Sequence, residues 1–414
     1  ICRRCPTSAD PVPIIRYIGL DVHKHYLVAY GVDRDQHPVY GPRRVEYIDL
    51  ESWLARELRP SDAVALEMTT NTWQMVDLLA PVVGAVTVVH PPEVKAIVKA
   101  RVMTDKKAAR ILAQLPAAGL LPPVWVPPQG MREIRSLVAG RRRTVALSTE
   151  AKNTLHAVLH AHHLLPPAEV KDIFHPKARA WWDALPLSPV EMTRVQVALE
   201  TLDFATRQRE RYEAVLAQLA AGDERVPLLA QLPGIGLVAA MTLLGAIGDI
   251  TRFPTATQLV GYAGLGAQVH DSGQTRWTGR ITKAGRRDIR RVMVDAASHA
   301  VKMKGHWKDV YERLKPRLGR PKALVAVARK LLIAVWHVLT GATADRFATP
   351  EQVAAAFYAL AYKVGVRNLP NGVGARQFVR DQLDRLGLGD EITHIPWGSK
   401  RFRLPPSRVG EAGD

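Results

Sequence analysis

A chain of 414 residues, 47% of them apolar, is long enough to bury two or three separate cores. Its 57 Lys and Arg against 39 Asp and Glu leave a formal charge of +18, which favours a polyanionic partner, nucleic acid first, with a merely solvated basic surface as the plainer alternative. Cys2 and Cys5 alone make no disulfide framework, no run approaches the ~18 apolar residues of a membrane span, and residues 1–13 lack the apolar stretch of a signal peptide, so a reducing cytosol is expected and a membrane partner is not.

Residues 1–13, with Cys-Arg-Arg-Cys, read as a disordered leader holding at most half a zinc site. Ile14 to Asp21 follows, an apolar run that delivers a carboxylate to its own end; Tyr17, Ile18 and Leu20 read as a buried strand. Strand-like stretches at 25–32 and 39–48 come next, then an amphipathic helix at 50–58. A strand at 62–67 ends on Glu67, a helix lies near 72–80, a strand at 84–90, and helices flank Asp105. An ionised carboxylate at the end of a buried strand is costly unless a cation or hydrogen-bond donors compensate it. Three acids at junctions between elements therefore point to a shared metal site. Each has a plainer reading: Asp21 opening a turn, Glu67 facing solvent, Asp105 stabilised by a helix dipole.

Three strands followed by alternating helix and strand predict a mixed sheet covered by helices over residues 14–120. That order is similar to the RNase H-like fold of RuvC-type nucleases, in which the first and fourth strands are neighbours and a late helix crosses the sheet. The likeness implies that Asp21, Glu67 and Asp105 converge, as hard oxygen ligands suited to Mg²⁺ or Mn²⁺.

Pro122-Pro123 and Pro127-Pro128 mark a boundary, and apolar residues then recur at helical spacing from Met131 to Leu159. In Val190–Leu219, Met192, Val195, Leu199 and Leu202 alternate three- and four-residue steps, which fits either a self-associating coiled coil or a helical hairpin packed on its own chain. Arg141, Arg142 and Arg143 are candidates for a nucleic-acid backbone. His156, His160, His162 and His163 lack an acidic or Cys partner nearby and read as a polar helix face. From residue 224 the texture changes. Leu232-Pro-Gly-Ile-Gly236 resembles the turn of a helix-hairpin-helix, where Gly234 and Gly236 let backbone approach a phosphate at the next helix N-terminus, with plain helix-turn packing as the alternative. Further on, Ser272 sits in a loop followed by Arg276, Arg280, Lys283, Arg286 and Arg287, either a hydroxyl nucleophile in a positive field or a phosphate-binding loop. Residues 346–414 carry two helix-like stretches and a Pro-, Gly- and Arg-rich end expected to be mobile.

Taken in register, Tyr-Ile-Gly-Leu-Asp-Val-His-Lys, the Leu-Glu67 strand, Thr-Asp105, Leu-Pro-Gly-Ile-Gly, Gly-Tyr-Ala-Gly-Leu, Asp-Ser272-Gly and Gly-Arg-Ile-Thr-Lys-Ala-Gly resemble the successive motifs of the DEDD transposases of bridge-RNA-guided insertion sequences. The resemblance covers about residues 14–345. It implies a RuvC-like domain over 14–120, a helical coiled-coil connector over 125–222 and a mainly α-helical transposase domain over 223–345, with 346–414 as an extension. It further implies DNA strand exchange between donor and target, specified by a noncoding guide RNA, in a homo-oligomer of the bacterial cytoplasm and nucleoid. Asp21, Glu67 and Asp105 would bind metal, and Ser272 would form the covalent link to DNA in a composite centre. One position departs from the pattern: the family's fourth acid, three residues after the third, is Ala108 here, and no Asp or Glu follows before Glu133. A junction-resolving nuclease using the acids alone, and an inactive nucleic-acid scaffold, are the rival readings.

Overall fold

The chain separates at Pro127 into two units. A computed structural model describes residues 12–97, 104–120, 123–272 and 275–408; residues 1–11 of the expected leader, with Cys2 and Cys5, and Pro122 lie outside the described residues.

In the first unit the strands are β1 (Arg16–Val22), β2 (Tyr26–Val32), β3 (Pro38–Glu46), β4 (Asp62–Glu67) and β5 (Ala85–Val89), and the helices are α1 (Leu50–Glu57), α2 (Thr72–Leu79), α3 (Pro91–Ile97) and α4 (Asp105–Ala117). All lie close to the bounds that periodicity predicts. The sheet order is β3-β2-β1-β4-β5. β2 runs antiparallel to β1 and β3, whereas β4 is parallel to β1 and β5, so the sheet is mixed. Alternation along β1 separates two faces. Ile18, Leu20 and Val22 enter one core with Trp53, Leu54, Met75 and Leu79 from α1 and α2. Tyr17 lies in a second core with Val28, Tyr30, Ala109 and Ala113, under α4.

Gly19 shares that second face, and its missing side chain admits α4. A Cβ at Gly19 would overlap the Ala109 carbonyl, the Ala113 backbone nitrogen and the Leu112 carbonyl carbon. This close approach positions Asp105, one turn before Ala109, over the end of β1. Gly19→Ala is expected to destabilise the α4–sheet contact by about 1–3 kcal/mol, as overpacking of a tight core does. Faster hydrogen exchange of the α4 amides is the readout; unchanged exchange would mean that α4 does not rest on Gly19.

The second unit begins with α5 (Gln129–Ala161), followed by α6 (Arg179–Asp183) and α7 (Pro189–Ala221). The antiparallel α5–α7 pair is clamped by Arg141, whose Nη2 lies 2.7 Å from Glu213 Oε1. Val195, Leu199 and Leu202 are buried with Leu155, Val158 and Trp182. The three-and-four-step seam of α7 is thus spent on its own chain. A different stripe, Val190, Val197 and Phe204 at seven-residue spacing, stays 78%, 57% and 49% exposed.

The remaining elements are α8 (Arg225–Ala230), α9 (Leu237–Ile247), α10 (Ala256–Tyr262), a hairpin of β6 (Ala267–Ser272) and β7 (Thr275–Ile281), α11 (Arg287–Ala300), α12 (His306–Leu318), α13 (Arg320–Gly341), α14 (Pro350–Val364), α15 (Ala375–Arg385) and a hairpin of β8 (His394–Trp397) and β9 (Lys400–Arg403). They enclose one large core around α9, whose residues from Ala240 onward are all buried. The expectation that no stretch is long and apolar enough to cross a bilayer is corrected at α13, which is; its Val327, Leu331, Leu332 and Val335 are buried in this core beside α10, α11 and α12. The expectation of a mobile end is corrected over 394–408. Arg380 is fully buried and donates to the carbonyls of Gly389, Ile392 and Pro405 and to Asp384, tying the segment to α15, while Ile395 and Leu404 fill the core. Composition could not reveal that anchor, because its acceptors are backbone carbonyls.

Candidate metal centre and nucleic-acid elements

Asp21 ends the buried part of β1, and Asp105 is the first residue of α4, whose N-terminus is capped by the Thr104 side chain accepting from the Lys107 N–H. The two carboxylates meet at His23. Its Nε2 lies 3.3 Å from Asp21 Oδ2 and 3.3 Å from Asp105 Oδ2. That nitrogen is buried and forms a hydrogen bond with neither. The Tyr26 hydroxyl donates to Asp105 Oδ2 at 3.0 Å, its ring stacks on His23 with centroids 4.6 Å apart, and the Arg44 guanidinium covers that ring at 3.6 Å. Burial holds the Asp21 carboxyl above the usual carboxylate range, opposed by His23 and reinforced by the like charge of Asp105. The bond to Asp105 likewise raises the Tyr26 hydroxyl.

Glu67 is the last residue of β4 and half-buried. The parallel register pairs Leu20 with Leu66, so Glu67 stands beside Asp21 on the adjacent strand. Among the described residues, the ligand atoms that lie within 4.8 Å of one another here belong to Asp21, His23 and Asp105, and Glu67 stands outside that group. Two close carboxylates with no Lys or Arg paired to either among the described residues, and an imidazole nitrogen at ion-pair distance from both, fit a divalent cation. The other end of β4 is the contrast: buried Asp62 receives Arg16 Nε at 2.9 Å and Nη2 at 2.7 Å, a neutralised structural pair. Sequence reading missed His23, although Asp-x-His at the two-residue strand period is the signal that would have placed it beside Asp21. Ala108 lies one turn along α4 from Asp105, half-exposed and without a donor atom.

In the second unit the Leu232–Gly236 turn joins α8 to α9. Gly234 has φ +83°, and a Cβ there would overlap the Ala296 carbonyl of α11, so packing explains this glycine. Gly236 is the N-cap of α9, with no side-chain cap and open space around it. The turn walls a groove of about 530 Å³ that His299, Lys304, His306 and Phe347 also line. Ser272 is exposed at the end of β6, across the hairpin from Thr275, rather than within an irregular loop. Gly273, Gln274 and the Arg276 side chain lie outside the described residues. The hairpin base is fastened by backbone bonds from Thr282 to Gly266 and from Arg286 to Tyr262, which joins the Gly-Tyr-Ala-Gly-Leu and Gly-Arg-Ile-Thr-Lys-Ala-Gly segments.

The basic candidates divide. Arg142, Arg143, Arg280, Lys283 and Arg287 are exposed. Arg141 is engaged by Glu213, and Arg286 by Asp288. Arg135, which sequence reading did not single out, donates to the carbonyls of Gly245 and Ala246 at the C-terminus of α9. Burial, with Arg286 close by, lowers its guanidinium to about 10. The histidine cluster does meet an acid after all, since His162 Nε2 lies 3.9 Å from Glu191 of α7.

A DEDD transposase family of IS110 type matches residues 18–164, and the transposase IS116/IS110/IS902 family matches residues 226–312. The chain is 28% identical to a Sinorhizobium fredii protein designated y4qE over 59% of its own length and 57% of that relative's, so it spans little more than half of it. It is 25% identical to the transposase for insertion sequence element IS1111A of Coxiella burnetii over 79% of this chain and 90% of that one. It is 24% identical to the pilin gene-inverting protein of Moraxella bovis over 78% and 95%. With the acid-bearing strand and helix inside one family match and the hairpin that carries Ser272 inside the other, the chain belongs to the IS110/IS116/IS902 family of DEDD transposases.

Proposed function

We propose that the chain cleaves and exchanges DNA strands of an insertion sequence, using Asp21, Glu67 and Asp105 as a Mg²⁺- or Mn²⁺-binding site and Ser272 as nucleophile, with a noncoding RNA selecting donor and target. The observation that carries this reading is the convergence of Asp21 and Asp105, from a strand end and a helix start, with Glu67 next in register. The order β3-β2-β1-β4-β5, with β2 antiparallel, supports an RNase H-like, RuvC-type first domain. The gene-inverting relatives support strand exchange over simple cutting.

A divalent ion held by these carboxylates supplies positive charge at the scissile phosphate. Tyr26, hydrogen-bonded to Asp105 and covered by Arg44, keeps that carboxylate in place. Ser272 Oγ forms a bond to phosphorus while the bond to the departing sugar oxygen breaks, and a proton lost from serine is balanced by one gained on the leaving oxygen. One phosphoester replaces another, so the step reverses to reseal strands. Gly236 at the open N-terminus of α9 and the exposed Arg142, Arg143, Arg280, Lys283 and Arg287 hold nucleic-acid backbone, with no base reading required of them. Val190, Val197 and Phe204 offer a heptad-spaced face for a second copy of the chain.

The test is a gel assay with donor and target duplexes and RNA transcribed from the DNA that flanks the gene. Joined recombinants are expected; simple cleavage would indicate a nuclease, and shifted but intact DNA a binding scaffold. Ala108→Asp adds an oxygen donor on the face of Asp105. It is expected to raise recombinant yield in Mg²⁺ about tenfold, equivalent to roughly 1.4 kcal/mol of barrier. Equal yield would remove Ala108 as the site's weak point.

A further inference from the structure

We infer that His23 is itself a metal ligand, and that the centre therefore takes Mn²⁺ in preference to Mg²⁺; this rests on the metal-dependent reading above and extends it to the ligand set and the ion. The geometry is that of a prepared donor. His23 Nε2 is buried and lies 3.3 Å from an oxygen of each of two carboxylates, an ion-pair distance from both. Its ring stacks on Tyr26 with centroids 4.6 Å apart, and the Arg44 guanidinium lies 3.6 Å from the Tyr26 ring centre. Its backbone is held as well: the His23 N–H donates to the Tyr26 carbonyl at 2.9 Å, and the His23 carbonyl accepts from the Tyr47 hydroxyl and from Asn71. A histidine needed only for packing would not require its ring nitrogen aimed between two acids.

The surrounding residues say why a nitrogen is used. Among the described residues, no Lys or Arg pairs with Asp21 or Asp105, so the two carboxylates rely on His23 or on a cation between them. Ala108, one turn after Asp105, contributes no oxygen. The resulting set, the carboxylates of Asp21 and Asp105 with Glu67 next in register and one imidazole nitrogen among them, suits a first-row transition ion better than an all-oxygen set would, because Mg²⁺ demands hard oxygen donors and keeps its waters.

The alternative role for His23 is a protonated imidazolium that neutralises the acids and competes with metal, and the two roles predict opposite signs. The full chain, stripped with chelator, is titrated with Mn²⁺ and separately with Mg²⁺, following free Mn²⁺ by electron paramagnetic resonance and both ions by calorimetry. Mn²⁺ is expected to bind at least about tenfold more tightly than Mg²⁺, and His23→Gln to weaken Mn²⁺ about tenfold while moving Mg²⁺ by less than about twofold. Pulsed resonance on the Mn²⁺-loaded unaltered protein is expected to show nitrogen coupling that is lost in His23→Gln; this does not depend on the variant's stability, because its absence in the unaltered protein alone overturns the inference. Unchanged or tighter Mn²⁺ binding in His23→Gln also overturns it. Asp21→Asn separates the two claims. If it abolishes binding and His23→Gln does not weaken it, the acid site stands and His23 is no ligand; if neither variant changes Mn²⁺ binding, the metal reading falls with it.

Discussion

Asp21→Asn is expected to abolish strand cleavage and exchange, by at least about a thousandfold or ~4 kcal/mol of barrier, while leaving nucleic-acid binding intact. The amide keeps the shape of the carboxylate but removes the charge that a divalent ion requires. The same change should stabilise the metal-free protein. Asp21 is half-buried, lies near Asp105, and has no Arg or Lys partner among the described residues, so its ionised form is held at a cost that the amide avoids. A rise of a few degrees in the melting temperature of chelator-treated protein is expected alongside the loss of activity. Opposite movements of stability and turnover distinguish a ligand from a residue that merely holds the fold. A variant that lost both would place Asp21 with Asp62, whose bidentate pairing with Arg16 is structural.

Ser272→Ala should eliminate covalent protein–DNA products entirely and leave the shift of intact DNA unchanged. Ser272 is exposed at the end of β6, so removing its hydroxyl costs the core nothing. The hairpin around it displays Val269 and Trp277, each more than half exposed. Labelled DNA resolved on a denaturing gel, with and without protease, measures the adduct. Adducts that persist in Ser272→Ala transfer the role to another hydroxyl, with Thr275, Thr278 and Thr282 nearest along the hairpin. Cleavage without any adduct in the unaltered chain would mean attack by water, and a nuclease in place of a recombinase.

Much of the first unit was legible in its residues because its signals are local. Short apolar runs in Ile14–Asp21 and Ala63–Glu67, and helical spacing around Trp53 and after Asp105, need no distant contact to be read, and the strands and helices fall where they predict. His23 escaped notice since a lone histidine after a strand looks like the start of a turn; it becomes informative only when α4 brings Asp105 to it. The basic residues show the same limit from the other side. Arg141 and Arg286 look identical to Arg142 and Arg287 in sequence, yet carboxylates from α7 and from the start of α11 engage the first two and leave the others exposed. In α7 the recognisable seam was found, but which partner it takes is a question of packing, and the chain's own α5 fills it.

What the sequence determined by itself was which groups are on offer: acids at element ends, a serine beside a glycine, and a strongly basic chain. These properties belong to residue types and short-range order. Tertiary structure decided which donors share a point in space. The absence of a Cβ at Gly19 lets α4 settle on β1, and that contact brings the two aspartates and His23 together. Such a meeting depends on the distance between backbones that are remote in the chain, a quantity that no local pattern encodes.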